Sequence, residues 1–189
     1  MKIGLLTLQG AFIEHIRILQ KLGVETVKVN LPKDLDDIDG LIIPGGESTT
    51  IGKLAVMYDL MEPLKKFPKE KPVWGTCAGM IFMAKKIDKE QPILKIMDIV
   101  VKRNAFGRQV DSFETELQVD ILKNGKDTPF PAIFIRAPVL VEAGKNVQTI
   151  AKLTDGSPVA ALEKNLLVTA FHPELTNDFR FHEFFISLV

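Results

Sequence analysis

The sequence predicts an α/β protein with a flavodoxin-like fold, in which helices cover both faces of an open, mostly parallel β-sheet. Short apolar runs alternate along the chain with segments whose apolar residues recur at helical spacing. The run at residues 40–43 is apolar at every position, which is typical of parallel strands covered on both faces. No linker rich in Pro, Gly or Ser divides the 189 residues, so we expect a single domain over residues 1–189.

The composition favours a cytoplasmic protein. Acidic and basic side chains balance at 24 each, so nothing indicates nucleic acid or an anionic membrane as the main partner. Cys77 is the single cysteine, which excludes an internal disulfide. The first residues lack the pattern of a signal peptide, and no apolar run is long enough to cross a bilayer.

The first part of the chain predicts three strands. Residues 2–8 form an apolar run that stops at Gln9-Gly10, and helical spacing then continues up to Gly23. The next two strands are predicted at residues 24–29 and 40–43. In an open α/β sheet, binding sites lie beyond the carboxyl ends of the strands, so the segments that follow the strands are the candidates for function.

Two adjacent glycines follow the third strand, in residues 44–50, before a predicted helix over residues 51–61. Backbone N–H groups at Gly45-Gly46 are free to bind an anion or an oxyanion. A phosphate-binding loop would look similar, but the lysine and the glycine spacing of nucleotide-binding loops are absent. A plain turn in which Ser48 or Thr49 caps the helix fits the segment equally well.

The single cysteine follows the next predicted strand, which begins at Val73. The order Gly75-x-Cys77-x-Gly79 before a helical pattern is the cysteine form of the nucleophile elbow. A position at the start of a helix favours a thiolate, and the N–H of Ala78 is placed to bind an oxyanion. The alternative is that Cys77 is a small buried apolar residue, which is the commoner role of a free cysteine.

The second half of the chain predicts a polar loop among short strands. Residues 103–113 contain Arg103 and Arg108 near aromatic residues, which suits a wall that binds a carboxylate, although a plain solvated loop has the same composition. The part of the chain from Val139 is rich in strand patterns and is expected to form an antiparallel extension at the edge of the sheet. Strands of this half are predicted at residues 98–102, 115–122, 132–135, 147–151, 159–163 and 166–171.

A histidine and a glutamate follow the last predicted strand. His172 and Glu174 are two residues apart in an extended segment, which puts their side chains on one side, and Pro173 stiffens the link. A strand-end histidine beside a carboxylate is the best candidate for a catalytic base. His15 and His182 fall within helix patterns and are predicted to be ordinary helix residues.

Together these residues predict acyl transfer at one edge of the sheet. Cys77 would attack a carbonyl carbon, His172 would take and return the proton, and Glu174 would orient the imidazole. The N–H groups near Gly46 and Ala78 would hold the oxyanion. Two other functions stay open, namely a different cysteine hydrolase of similar fold and a non-catalytic module whose glycine loops bind a metabolite. We expect neither a cofactor nor a metal ion.

Residues 75–79 and 171–174 resemble the Cys-His-Glu signature of triad-type glutamine amidotransferases, which hydrolyse glutamine to glutamate and ammonia. Four further motifs closely resemble those of the glutaminase subunits of pyridoxal 5′-phosphate synthases. These are residues 8–11, 44–50, 103–109 and 134–138. The resemblance runs from Lys2 to the C-terminal helix, with Ala105 where the family is expected to have serine. The glutaminase subunit of another amidotransferase complex is the alternative.

The resemblance also implies a substrate, a site and a partner. The substrate is L-glutamine, and the partner is a (β/α)₈-barrel synthase that makes pyridoxal 5′-phosphate, a form of vitamin B6, from ribose 5-phosphate and glyceraldehyde 3-phosphate. Ammonia passes from the glutaminase to the synthase, and the family implies a complex of twelve plus twelve subunits. The implied glutamine-binding residues are Gly46, Glu47, Ser48, Arg103, Ile135 and Arg136.

Overall fold

The computed structural model of the chain describes residues 1–103 and 112–189. The β-strands are β1 (Lys2–Leu6), β2 (Glu25–Val29), β3 (Gly40–Ile43), β4 (Val73–Thr76), β5 (Ala84–Ile87), β6 (Met97–Lys102), β7 (Ser112–Leu117), β8 (Phe130–Ile135), β9 (Val139–Ala143), β10 (Gln148–Lys152), β11 (Pro158–Glu163) and β12 (Leu166–Thr169). The α-helices are α1 (Phe12–Lys21), α2 (Ser48–Met57), α3 (Met61–Lys66), α4 (Ala78–Met83) and α5 (Arg180–Leu188). Short 3₁₀ helices span Pro32–Leu35, Phe67–Lys69 and Pro173–Leu175.

The main sheet has the strand order β10-β11-β12-β4-β3-β1-β2. Strands β2, β1, β3, β4 and β12 pair in parallel, while β10 and β11 continue the sheet in antiparallel pairing. Every residue of β3, β4 and β12 is buried, so both faces of the sheet are covered at its centre. The predicted flavodoxin-like fold, with an antiparallel extension at one edge, is confirmed.

The helix predicted over residues 51–61 is wrong in its extent. Helix α2 ends at Met57, and Asp59 has the left-handed φ of 56°. The next helix, α3, begins at Met61, while Leu60 between the two helices is fully buried. The apolar spacing therefore continues across a break in the backbone that periodicity alone does not show. No helix in the described ranges is long and apolar enough to cross a membrane.

The antiparallel edge predicted for the chain from Val139 is formed by β10 and β11, but the prediction is wrong for two other strands. Strand β9 pairs with β6 in a small sheet, and β12 pairs in parallel with β4. Strands β5, β6 and β9 form one small sheet, and β7 and β8 form another. The strand predicted at residues 115–122 is instead β7, which ends at Leu117, and strand β5 was not predicted. The C-terminal helix begins at Arg180, where the Asp178 carboxylate accepts from the Arg180 N–H at 3.1 Å.

An aromatic core anchors the end of β12. Phe171 packs against Phe130, Phe134 and Phe181, with ring centroids 5.9, 5.4 and 5.4 Å away. Trp74 of β4 stacks on Phe181 at 6.2 Å. Such pairs add about 0.5–1.5 kcal/mol each beyond the burial of their area. The residue that follows Phe171 is therefore held firmly at the carboxyl edge of the sheet.

Candidate active site

The carboxyl ends of β1, β3, β4 and β12 surround a cavity of about 300 Å³. A cavity of this size suits a small metabolite. Among the residues that the structure describes, the walls include every one proposed from the sequence for catalysis or substrate binding except Glu174, which lies behind His172. The lining residues are Gln9, Ala11, Gly45, Gly46, Glu47, Ser48, Cys77, Ala78, Ile81, Arg103, Ile135, Arg136 and His172.

Cys77 occupies the turn between β4 and α4, with φ 48° and ψ −101°. Residues other than glycine rarely adopt such backbone angles, which cost about 1–3 kcal/mol. The Cys77 N–H donates to the Thr169 carbonyl at 2.8 Å and so fixes the turn. A Cβ at Gly79 would overlap the Ile43 carbonyl oxygen, so the close approach of α4 to β3 requires glycine. Ala78 begins α4, where the first N–H groups have no partner within the helix.

His172 is fixed from three sides. Its backbone N–H donates to the Ile133 carbonyl at 2.8 Å, and its ring nitrogen Nδ1 lies 2.7 Å from Oε1 of the buried Glu174. A Cβ at Gly45 would overlap the imidazole ring, so the glycine loop packs directly on it. Burial lowers the pKa of His172, but hydrogen bonds and charge from Cys77 and Glu174 outweigh burial and raise the pKa to about 10. The imidazole is therefore protonated at neutral pH and places a positive charge beside the side chain of Cys77.

Two further histidines lie behind Glu174, and the sequence analysis missed their role. His15 of α1 and His182 of α5 are fully buried, with His15 Nδ1 2.9 Å from His182 Nε2. His15 Nε2 lies 3.4 Å from Glu174 Oε2. Both residues belong to helices, as predicted, but the prediction that they are ordinary helix residues did not include their buried polar contacts. The signal was present in α1, because His15 shares the buried stripe with Ile18 and Leu19, three and four residues later.

The glycine loop after β3 is held by the loop after β1. The Ala11 N–H donates to the Gly45 carbonyl at 2.9 Å, and the Glu47 N–H donates to Gln9 Oε1 at 2.6 Å. A Cβ at Gly46 would overlap that same amide oxygen of Gln9. The orientation of the peptide between Gly45 and Gly46 thus depends on residues 9–11.

Glu47 caps helix α2. Its carboxylate accepts from the N–H groups of Thr49 at 3.1 Å and Thr50 at 2.7 Å, so neither Ser48 nor Thr49 is the cap that the sequence suggested. Arg103 Nη2 lies 3.2 Å from Glu47 Oε1. Burial raises the pKa of Glu47, but hydrogen bonds from Thr50 and Thr49 outweigh burial and lower the pKa to about 2. The carboxylate is therefore ionised at the rim of the cavity.

Arg103 is positioned by residues 88–94, the link that precedes β6, which contains no motif that predicts a function. Its Nη1 donates to Gln91 Oε1 at 2.7 Å and to Thr49 Oγ1 at 3.0 Å. The Arg103 N–H donates to Asp88 Oδ1 at 3.2 Å. The proposed wall also included Arg108, which lies outside the described residues.

Ile135 and Arg136 close the opposite side of the cavity, at the end of β8. The Ile135 carbonyl is 3.9 Å from Cys77 Sγ, and Arg136 has a φ of 43°. A left-handed residue directly after a strand turns the chain sharply, which brings this strand end to the cysteine. Within residues 1–103 and 112–189, no group of three or more His, Cys, Asp or Glu side chains is arranged to hold a metal ion.

Known proteins resemble this chain in both sequence and structure. The chain is 58% identical, over all of both sequences, to a protein of Herpetosiphon aurantiacus named pyridoxal 5′-phosphate synthase subunit PdxT. A protein of the same name from Dehalococcoides mccartyi is 53% identical over 100% of this chain and 97% of its own length. A crystal structure of a glutamine amidotransferase matches with a TM-score of 0.92 and 44% identity, over 98% of this chain and 97% of that chain. Residues 5–189 match the family described as SNO glutamine amidotransferase, and the chain therefore belongs to that family.

Proposed function

We propose that this chain is the glutaminase of a pyridoxal 5′-phosphate synthase. It hydrolyses L-glutamine to L-glutamate and ammonia and supplies the ammonia to a synthase subunit. The observation that carries the proposal is the strained Cys77 beside a cavity of about 300 Å³, facing a His172 that is bonded to the buried Glu174. The family match and the names of relatives that align over the whole chain support the same activity.

The first half of the reaction forms a thioester. At neutral pH the proton resides on His172, because its pKa is raised to about 10, and the Cys77 thiolate attacks the carboxamide carbon of glutamine. The N–H groups of Gly46 and Ala78 hold the oxyanion of the tetrahedral intermediate. His172 then donates its proton to the leaving nitrogen, the C–N bond breaks, and ammonia departs.

The second half hydrolyses the thioester. His172, now neutral, takes a proton from water as the water attacks the thioester carbonyl, and the same N–H groups hold the second oxyanion. The C–S bond breaks, and the Cys77 thiolate leaves beside the reprotonated imidazole. Glu174 holds the imidazole in one orientation throughout, through the 2.7 Å contact of its carboxylate with Nδ1.

Charged groups at the rim suit the zwitterionic end of glutamine. The guanidinium groups of Arg103 and Arg136 provide positive charge for the α-carboxylate, while the ionised Glu47 provides negative charge for the α-ammonium. Ser48 and the Ile135 backbone complete the proposed contacts. With the substrate held in this way, its side-chain amide reaches towards Cys77 across the cavity.

We further propose that the synthase partner, a (β/α)₈ barrel in a complex of twelve plus twelve subunits, activates this glutaminase. The Gly45 carbonyl accepts from the Ala11 N–H, so rotation of the Gly45–Gly46 peptide requires that bond to break. Contact of the partner with residues 9–11 would therefore bias the orientation of the Gly46 N–H. Each oxyanion donor contributes about 2.7–4 kcal/mol to the transition state. The proposed unit is a single domain over residues 1–189, acting in the cytosol, where a lone thiol stays reduced.

The test is release of ammonia from glutamine by the chain alone and with excess synthase, with Cys77→Ala as the blank. We expect low activity alone, a large increase with the synthase, and none in the blank. Ammonia release by Cys77→Ala at the wild-type rate would overturn the assignment of the nucleophile. Equal rates with and without synthase would exclude the switch, and glutamine binding without turnover under both conditions would favour a non-catalytic module.

A further inference from the structure

The proposed mechanism uses neither His15 nor His182, although both are buried directly behind the triad. His15 comes from α1 and His182 from α5, so two helices outside the nucleophile elbow send polar side chains to one buried point. Both imidazoles pack against Trp74 in edge contacts, with ring centroids 5.5 and 4.9 Å away. Fully buried polar side chains are costly unless they are paired, so their partners matter.

The contacts determine which ring nitrogen of each buried histidine carries the hydrogen atom. Burial, followed by the charges of His182 and His172, lowers the pKa of His15, so its ring is neutral and carries one N–H. The carboxylate of Glu174 can only accept, and its Oε2 has no hydrogen-bond partner with good geometry among the described residues. The proton of His15 is therefore best placed on Nε2, 3.4 Å from that oxygen.

The second histidine fixes this arrangement. With the proton on Nε2, His15 Nδ1 is an acceptor for the N–H of His182 Nε2 at 2.9 Å. His182 Nδ1 then carries a lone pair and no hydrogen. This agrees with the observation that Nδ1 has no hydrogen-bond partner among the described residues. The opposite tautomers would leave a buried N–H donor unpaired on His182 and a lone pair of His15 facing the carboxylate, which costs more.

We propose that His15 and His182 are positioning residues of the active site. His182 fixes the tautomer of His15, and His15 holds Oε2 of Glu174 so that Oε1 remains on His172 Nδ1. The triad thereby becomes the front of a line of five side chains that runs from Cys77 to α5. Thr76 Oγ1, also 3.4 Å from His15 Nε2, is a second acceptor for the same N–H and keeps the ring beside β4. This inference rests on the proposed glutaminase activity.

The test compares kcat and KM for glutamine, measured with synthase, in paired variants. His15→Leu removes the N–H that reaches Glu174, whereas His15→Gln keeps an N–H near the position of Nε2. Since the contact of an N–H with a charged carboxylate is lost, we expect His15→Leu to lower kcat about ten- to a hundredfold, with KM little changed, and His15→Gln to recover most of the loss. His182→Leu should lower kcat about two- to tenfold, with recovery in His182→Gln.

Phe185→Leu is the matched control for lost packing. Phe185 lies in α5, is fully buried and packs against Trp74 at 5.7 Å, as His182 does at 4.9 Å, but it has no polar group. We expect this variant to unfold at a lower temperature while its kcat stays at the wild-type value. If the leucine variants of both histidines match it in Tm and kcat, the histidines serve packing and the inference is overturned.

A second readout does not depend on glutamine. Cys77 is the single cysteine of the chain, so the rate of its alkylation by iodoacetamide at neutral pH reports how far the neighbouring His172 activates the sulfur. We expect slower alkylation in His15→Leu than in Phe185→Leu, approaching the rate of His172→Asn. If the alkylation rates follow this order but the wild-type protein releases no ammonia from glutamine, the inference is supported and the proposed function is rejected. Equal alkylation rates would overturn the inference, and if His15→Leu does not fold, the His182 pair decides by the same criteria.

Discussion

Replacement of Gly45 by alanine tests the placement of His172 directly, because it adds one carbon where the glycine loop meets the imidazole. The added Cβ would overlap Cε1 of His172 and lie 3.0 Å from its Nδ1, closer than the 3.4 Å at which ordinary van der Waals contact begins. Gly45 does not have a left-handed φ, so its backbone accepts alanine without strain. The substitution therefore acts on the ring and not on the chain conformation.

The size of the effect follows from what holds the ring. To admit the Cβ, His172 must turn away from Cys77 or stretch its 2.7 Å contact with Glu174. Misplacement of a catalytic group by about 1 Å lowers a rate roughly a hundredfold. We therefore expect kcat to fall at least about a hundredfold. One extra carbon in a packed site lowers the free energy of unfolding by about 1–3 kcal/mol, so the protein stays folded.

The assay is ammonia release from glutamine in the presence of synthase, together with thermal unfolding. Gly40→Ala is the matched control, because Gly40 begins β3, the strand that leads to Gly45. Its added Cβ would lie 3.0 Å from Val189 Cγ2, so it crowds the core without touching the site. A Gly45→Ala enzyme with the kcat of Gly40→Ala would refute the packing of the glycine loop on His172.

Three further sets of substitutions test separate parts of the site. His172→Asn should abolish ammonia release and Glu174→Gln should reduce it by less, with the double variant scarcely worse than His172→Asn; strictly multiplicative losses would contradict a unit of coupled residues. Gln91→Leu should raise KM for glutamine about tenfold or more with kcat unchanged, since Gln91 Oε1 accepts from Arg103 Nη1 at 2.7 Å; an unchanged KM would show that Arg103 needs no such support. Glu47→Gln should weaken the cap of α2 by roughly 1 kcal/mol at neutral pH. Because the pKa of Glu47 is lowered from 4.5 to about 2, its contribution is complete above pH 4.5 and is lost as the pH falls through about 2. The difference in Tm between Glu47→Gln and wild type should shrink over the same range, and a difference that is independent of pH would contradict this.

The parts of the fold that the sequence predicted have strong local signals. The all-apolar run at residues 40–43 is typical of a covered parallel strand, and Gly75-x-Cys77-x-Gly79 indicates a sharp turn into a helix. The break at Asp59 and the separate pairing of β7 with β8 were missed. The first depends on one backbone angle, and the second on which strands meet in space, and neither leaves a periodic trace in the sequence.

The residues of the site also divide into those with a local signal in the sequence and those without one. Cys77 and His172 stand at strand ends, so their meeting follows from the parallel order of β4 and β12. His15 and Gln91 act through contacts with residues 159 and 12 positions away in the chain, which spacing along a single element cannot reveal. A histidine on the apolar stripe of α1 indicates a buried polar contact, but only the three-dimensional structure shows that Glu174 lies beside it.

The strain at Cys77 shows how the fold supports the chemistry. A φ of 48° costs about 1–3 kcal/mol at a residue with a side chain, and glycine, which would relieve that cost, has no nucleophile. The turn is instead held by its N–H bond to Thr169 and by the close contact of Gly79 with the Ile43 carbonyl. Thr169 and Ile43 lie in fully buried strands, so the apolar core that covers β3 and β12 stabilises the conformation that exposes the thiol to the cavity.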